Sequence, residues 1–372
     1  MGDRLSSLSR EQALREILAA LHEERVPTLD SADLSNTDLH RLDLSGGNLC
    51  ETDLHGANLS YTYMCGAYLR RANLSDANLS CANLNRTVLV EVNFAGANLH
   101  GASLQFSDLR STDLCGVNLS GADLSNANMV EADLVNADLS KADLVGTYLS
   151  RANLSGANLS GANLSGTDLS GAILTGADLS RADLSGARLV KANLSRAFLV
   201  KANLSKANLA LTHLNKANLS GVYAFGAKLH RAHLVETNLS QVNFGEADLS
   251  NTCLLRADLS KANLSKANLS KANLSGVNLS EANLSQTDLQ EARLDRANLR
   301  QAYLRAANCR GAILQDANLE GAVLTNANFV DANLQLIHVN ARALTEIDVH
   351  MLRGALVDPA TSGLLRAPLE TP

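Results

Sequence analysis

His213, His233 and Cys253 are the nearest this chain comes to a reactive constellation. They are spaced by 20 residues, and each stands where neighbouring segments carry Asn or Asp. His and Cys are zinc ligands. If the chain returned on itself every 20 residues, the three would stack on one face about 4.8 Å apart. However, Asn193 and Asn273 bracket them and no fourth ligand is evident. A drifting surface position is therefore the preferred reading over a metal site. Ser is abundant, but no G-x-S-x-G elbow with a partnering acid and His occurs. The Gly residues stand mostly singly and form no phosphate-cradling loop. The carboxylates recur at equivalent places, so pairing two as acid and base would be arbitrary. No catalytic residue and no cofactor are expected.

What positions these side chains is a period of five. Residues 261–275 read KANLSKANLSKANLS. From Leu34 to Val349 every position ending in 4 or 9 is Leu, except Met64, Phe94, Met129, Ala224, Phe244, Cys309, Phe329, Val339 and Val349. A small residue, mostly Ala, lies two before each Leu, with Asn or Asp between them. Five fits neither a 3.6-residue helix nor a long alternating strand. It fits a short extended piece, with Ala and Leu inward and Asn outward, followed by a polar corner. One such unit cannot bury its Leu, but a stack of units can, at roughly 1.5–3 kcal/mol per Leu. Leu34, Leu39, Leu154, Leu159, Leu164, Leu264, Leu269 and Leu274 are the expected core. In Gly221 to Phe225, GVYAF, Ala224 takes a Leu slot, and Phe244 takes the same slot twenty residues later. A small residue beside a large one conserves core volume.

These residues resemble the pentapeptide-repeat family, whose motif is A(D/N)LXX. The match spans residues 31–349. The resemblance implies an all-β fold, a right-handed quadrilateral β-helix with four pentapeptides per coil. That gives about 16 coils and, at about 4.8 Å per coil, a rod roughly 75 Å long.

Residues 1–30 and 350–372 differ from the repeat. Ser9 to Arg25 reads as a helix, opened by a capping box of Ser9 and Gln12 and stopped by Pro27. Leu14, Ile17, Leu18 and Leu21 form its expected apolar face, a cap over the first coil or else a partner-binding helix. At the other end, Ile337, Ile347, Leu352 and Leu356 are expected to form a second cap or a dimer contact. Residues 358–372, with three Pro, read as a loose tail. The N-terminus has no apolar leader core, and no apolar run approaches the ~20 residues of a membrane span. Gly2 to Ser6 fits the myristoylation pattern only loosely, with an acidic Asp3 after the glycine. The six cysteines lack framework spacing, and Asn-Leu-Ser recurs as a glycosylation acceptor. Both observations point to the cytoplasm and free thiols.

Charge is distributed unevenly. Residues 31–150 carry 6 basic and 14 acidic side chains, and residues 151–310 carry 19 basic and 11 acidic. Part of the resembled family imitates DNA and binds DNA gyrase, protecting it from quinolone-type poisons. A DNA-like rod of 75 Å would need about 44 negative charges, whereas residues 31–310 sum to about zero. The alternative is a scaffold presenting an extended surface to a protein partner, and this is the preferred expectation. Direct nucleic-acid binding is disfavoured, because Lys261, Lys266 and Lys271 fall on successive sides and aromatics are scarce near them. A homodimer is expected either from weak antiparallel pairing of the acidic and basic halves or from the apolar C-terminus.

Overall fold

Backbone donors are satisfied by the coils on either side and by the motif's own Asn or Asp, and residues 151–155 show how. The Arg151 N–H donates to the Ser170 carbonyl (3.0 Å), and the Leu154 N–H donates to the Ile173 carbonyl (2.6 Å). The Asn153 N–H points the other way, to the Ala132 carbonyl (2.9 Å), while the Ala152 N–H closes the corner onto the Leu149 carbonyl (3.1 Å). The fifth donor, the Ser155 N–H, has no backbone partner and donates to Asn153 Oδ1 at 3.2 Å. This explains the Asn or Asp in the middle of the motif. Its side-chain oxygen satisfies an amide that the corner would otherwise orphan.

The corner also explains the variable residue. It is held in the left-handed region, for example Arg151 at φ 60°, Lys201 at φ 59° and Gly156 at φ 67°. Glycine adopts that conformation freely, and other residues do so at a cost of about 1–2 kcal/mol.

The computed structural model describes residues 8–340 and 347–366. The described chain forms two compact units, Met1–Asp183 and Leu184–Pro372. In both, parallel bridges join each outward residue to the one 20 positions on, as in Asn58↔Asn78 and Asn263↔Asn283. Four corners in 20 residues make each coil four-sided, and every side contributes a single bridged residue. Leu34, Leu39, Leu154, Leu159, Leu164, Leu264, Leu269 and Leu274 are all 0% exposed, with the intervening Ala buried beside them. Where Thr replaces Ala, its hydroxyl donates to a core carbonyl, as Thr167 Oγ1 does to Leu144 O at 2.7 Å.

The ends depart from the sequence reading in three respects. Helix α1 spans Arg10–His22. It is opened by the Ser9 N–H donating to Gln12 Oε1 (2.9 Å), and it buries Ala13, Ile17 and Ala20. The expected stripe is therefore wrong in part. Leu18 and Leu21 are 65% and 41% exposed, and Leu14 is half-buried. Two alanines, not two leucines, flank Ile17 on the buried side. α1 is tied to the following chain by Arg10 to Ser35 Oγ (3.0 Å) and by the Leu8 carbonyl accepting from the Asp33 N–H (3.0 Å).

Second, the last bridged position in step is His338, residues 341–346 of the expected repeat lie outside the described residues, and Val349, the expected last slot, opens a short 3₁₀ helix, Val349–Leu352. The chain then rejoins the stack out of the 20-residue step: the Phe329 and Leu334 N–H groups donate to the Met351 and Leu356 carbonyls, both at 2.8 Å. Ile347 is buried in this return, so it is not an exposed dimer contact; Leu352 is half-buried and Leu356 is exposed. Third, the expected loose tail contains helix α2, Pro359–Arg366. Asp358 starts it, accepting from the Ala360 and Thr361 N–H groups. Residues Gly2 to Ser6 lie outside the described residues.

Candidate interaction surfaces

The register brings His213, His233 and Cys253 together on one face, joined by His213↔His233 and His233↔Cys253 bridges. The two imidazoles stack, with centroids 5.0 Å apart and planes 16° from parallel. Ring-nitrogen lone pairs lie in the ring planes, so near-parallel rings do not aim them at one point. Among the described residues no three His, Cys, Asp or Glu side chains gather as a metal would require. The thiols are free. That of Cys115 is pushed up to about 12 by desolvation and by hydrogen bonds to Asp113 and Asp133. Burial in a Leu slot does the same to Cys309. Both stay protonated near neutrality, and a protonated thiol is a poor nucleophile.

With the backbone committed to the coils, chemical variety stands on the outward slots and corners. Corner lysines of the second unit are mostly neutralised one coil away. Lys216 pairs with Glu236 (3.5 Å), Lys261 with Glu281 (3.8 Å), Lys266 with Glu246 (3.7 Å) and Lys271 with Glu291 (3.7 Å). These pairs are exposed, each worth about 0–1 kcal/mol. They place acidic side chains beside these four lysines, leaving the positive excess of the region on its other basic residues.

Sequence reasoning passed over the exposed aromatics. Every Tyr of the chain is at least half exposed, and Tyr61, Tyr63 and Tyr68 share one stretch of the first unit. Arg41 lies 5.6 Å from the Tyr61 ring centroid, and Arg86 lies 5.9 Å from that of Phe106. In the second unit, Tyr223 and Phe225 are 60% and 43% exposed. The signal was present in the slot number: an aromatic at a position ending in 3 or 8 must point outward.

A repeating coil with a closed core, a largely hydrogen-bonded backbone and a variable exterior defines a repeat solenoid. The chain belongs to the pentapeptide-repeat family. The family model Pentapeptide repeats (8 copies) matches overlapping or adjoining segments from 32–71 through 302–337. Proteins of this family fold as right-handed quadrilateral β-helices. Among solved structures, the chain is similar to HetL, a pentapeptide repeat protein involved in heterocyst differentiation regulation from the cyanobacterium Nostoc sp. strain PCC 7120. The identity is 33%, over 66% of this chain and 89% of HetL, with a TM-score of 0.27. A trypsin-treated form of QnrB1, a plasmid-mediated fluoroquinolone resistance protein, is 21% identical over 59% of this chain and 96% of its own, with a TM-score of 0.33. A search of curated proteins finds no match. No helix among the described residues is long and apolar enough to cross a membrane.

Proposed function

We propose that this chain is a non-enzymatic cytoplasmic scaffold whose flat exterior docks a protein partner. The observation that supports this reading is the combination of a five-residue register that runs as far as His338 with aromatic residues placed on the outside. Tyr and Arg dominate protein–protein hot spots, and here Tyr, rather than filling the core, is exposed throughout. α1 serves as the cap of the first coil. The test is a pull-down with the full chain against a chain lacking residues 1–30. A specific partner retained by both supports a surface scaffold. A partner lost with residues 1–30 assigns binding to α1, and no partner at all overturns the reading.

The acidic excess of residues 31–150 supports a second reading, a gyrase-binding DNA mimic. Gyrase supercoiling assays with and without a quinolone separate the two. Protection of supercoiling would favour mimicry, and an unchanged reaction would exclude it.

A further inference from the structure

Tyr223 stands at the bridged outward position of its side and Phe225 at the corner two residues on, and both rings are exposed. Most of their backbone is already bonded; the exception is the Phe225 N–H, to which Tyr223 offers no side-chain oxygen of the kind Asn153 gives Ser155. The Tyr223 N–H donates to Ala202 O (3.0 Å), the Tyr223 carbonyl accepts from the Leu204 N–H (2.6 Å), and the Phe225 carbonyl accepts from the Lys206 N–H (2.9 Å). One free amide does not make a strand edge, so a partner meets mainly side chains here.

The corners on either side of this pair are Gly221 and Gly226, one coil on from Lys201 and Lys206. Both lysine stems run toward the aromatic coil. The Lys201 Cγ is 3.5 Å from where a Cβ on Gly221 would stand, and the Lys206 Cγ is 3.8 Å from the equivalent point on Gly226. Gly245 lets Phe225 lean across the next coil, with its Cδ2 3.2 Å from the missing Cβ. Because glycine sits where other corners carry Glu, neither lysine has an ion pair among the described residues, unlike Lys216, Lys261, Lys266 and Lys271. Two uncompensated cations thus bracket two exposed rings.

We propose that Tyr223, Phe225, Lys201 and Lys206 form a docking site for an acidic protein segment carrying an apolar anchor. The anchor covers the rings, and carboxylates meet the two ammonium groups. Lys228, two residues after Gly226, adds a further cation, and Asp248 takes its bridged slot one coil on. Beyond this frame, Lys261 and Lys266 are already paired with Glu281 and Glu246. A nucleic-acid strand needs cations that track its backbone, so the pattern favours a short acidic segment. The site rests on the protein-partner reading above and gives it an address.

The test is fluorescence anisotropy with the full chain. The probe is a fluorescein-labelled peptide of glutamates around a central tryptophan. Its glycine-centred form, a lysine counterpart and an oligo(dT) strand are measured beside it. The glutamate–tryptophan peptide should bind best and weaken as salt rises from about 0.02 M to about 0.2 M, which shortens the screening length. Tyr223→Ala with Phe225→Ala should weaken binding about tenfold or more. Lys201→Glu with Lys206→Glu should shift preference to the lysine peptide, while Lys191→Glu with Arg231→Glu, the same charge change elsewhere, should not. Tighter binding of oligo(dT), no binding of the probe, or equal binding by the aromatic double variant overturns the site. Should that variant fail to fold, the Lys201→Glu with Lys206→Glu chain decides instead: an unchanged preference for the glutamate peptide overturns the site. In the pull-down above, partners kept after the aromatic change would overturn this site alone and leave the scaffold reading standing.

Discussion

Ala224 and Phe244 occupy the same inward slot of successive coils, and both are completely buried. Their outward neighbours Tyr223 and Asn243 are directly bridged, so the two core residues lie side by side along the stack. The missing side-chain volume at 224 is the room the ring at 244 uses. Phe244→Ala should therefore open a cavity and cost about 3–5 kcal/mol. Ala224→Leu should overpack and cost about 1–3 kcal/mol. The double variant Ala224→Leu with Phe244→Leu restores the ordinary motif and should lie closer to the parent than the sum of its single changes. Thermal and urea melts of the four chains test this. Additive losses would show that the two residues do not share a slot.

Gly156 and Gly66 both occupy left-handed corners, at φ 67° and 70°, yet they should not tolerate alanine equally. A Cβ at 66 meets nothing within 4 Å, whereas one at 156 would run into the Asn136 Oδ1. Gly66→Ala should cost about 1 kcal/mol, from the backbone conformation alone. Gly156→Ala should cost more, because Asn136 must also move. Equal melting temperatures for the two variants would remove the steric part of this explanation.

The alternation of buried and exposed slots was legible in the sequence because period-two burial and a five-residue repeat leave few arrangements. The ends were not. Counting leucines in α1 selected Leu14, Ile17, Leu18 and Leu21, but the buried side is Ala13, Ile17 and Ala20. Helix periodicity says which residues share a side, not which side meets the coil. The return of Met351–Leu356 onto Phe329–Leu334 has no repeat to announce it. The free lysines were also invisible residue by residue. Lys201 and Lys261 look alike until the residue 20 positions on is read, Gly in one case and Glu in the other.

Asp358 ties α2 to the repeat. Its carboxylate accepts from the Thr361 N–H (3.1 Å), the Leu336 N–H (2.8 Å), the Thr361 hydroxyl (2.8 Å) and the Ala360 N–H (2.9 Å). These bonds, led by the one from the Thr361 amide, lower its pKa from the ordinary 3.8 to about 2. A lowered carboxylate pKa favours the folded state above the ordinary value, and that contribution disappears as pH falls through the folded one. Hydrogen exchange at Ala360 and Thr361 should therefore be slow at neutral pH and accelerate, relative to intrinsic rates, as pH falls from about 4 toward about 2. Asp358→Asn should lack this acid-side change. An identical pH profile in the variant would mean that the capping bonds do not hold α2.

The last prediction concerns α1. Ala13, Ile17 and Ala20 are shielded, and Leu29 and Leu34 at the start of the stack are 0% exposed. Solenoid ends left bare expose apolar surface and unpaired backbone edges. Deleting residues 1–27 should lower the melting temperature and raise the apparent mass in light scattering, as exposed leucines associate. Ile17→Ala should reproduce part of the loss, at about 2–5 kcal/mol. Leu18→Glu with Leu21→Glu changes the solvent side and should stay within about 0.5 kcal/mol per change. The two substitutions separate a cap from a docking helix, because a cap depends on Ile17 and a docking helix would depend on Leu18 and Leu21. A truncated chain that stays monomeric with unchanged melting would end the cap assignment. If the Leu18 and Leu21 changes then abolished partner capture, α1 would be the docking element instead.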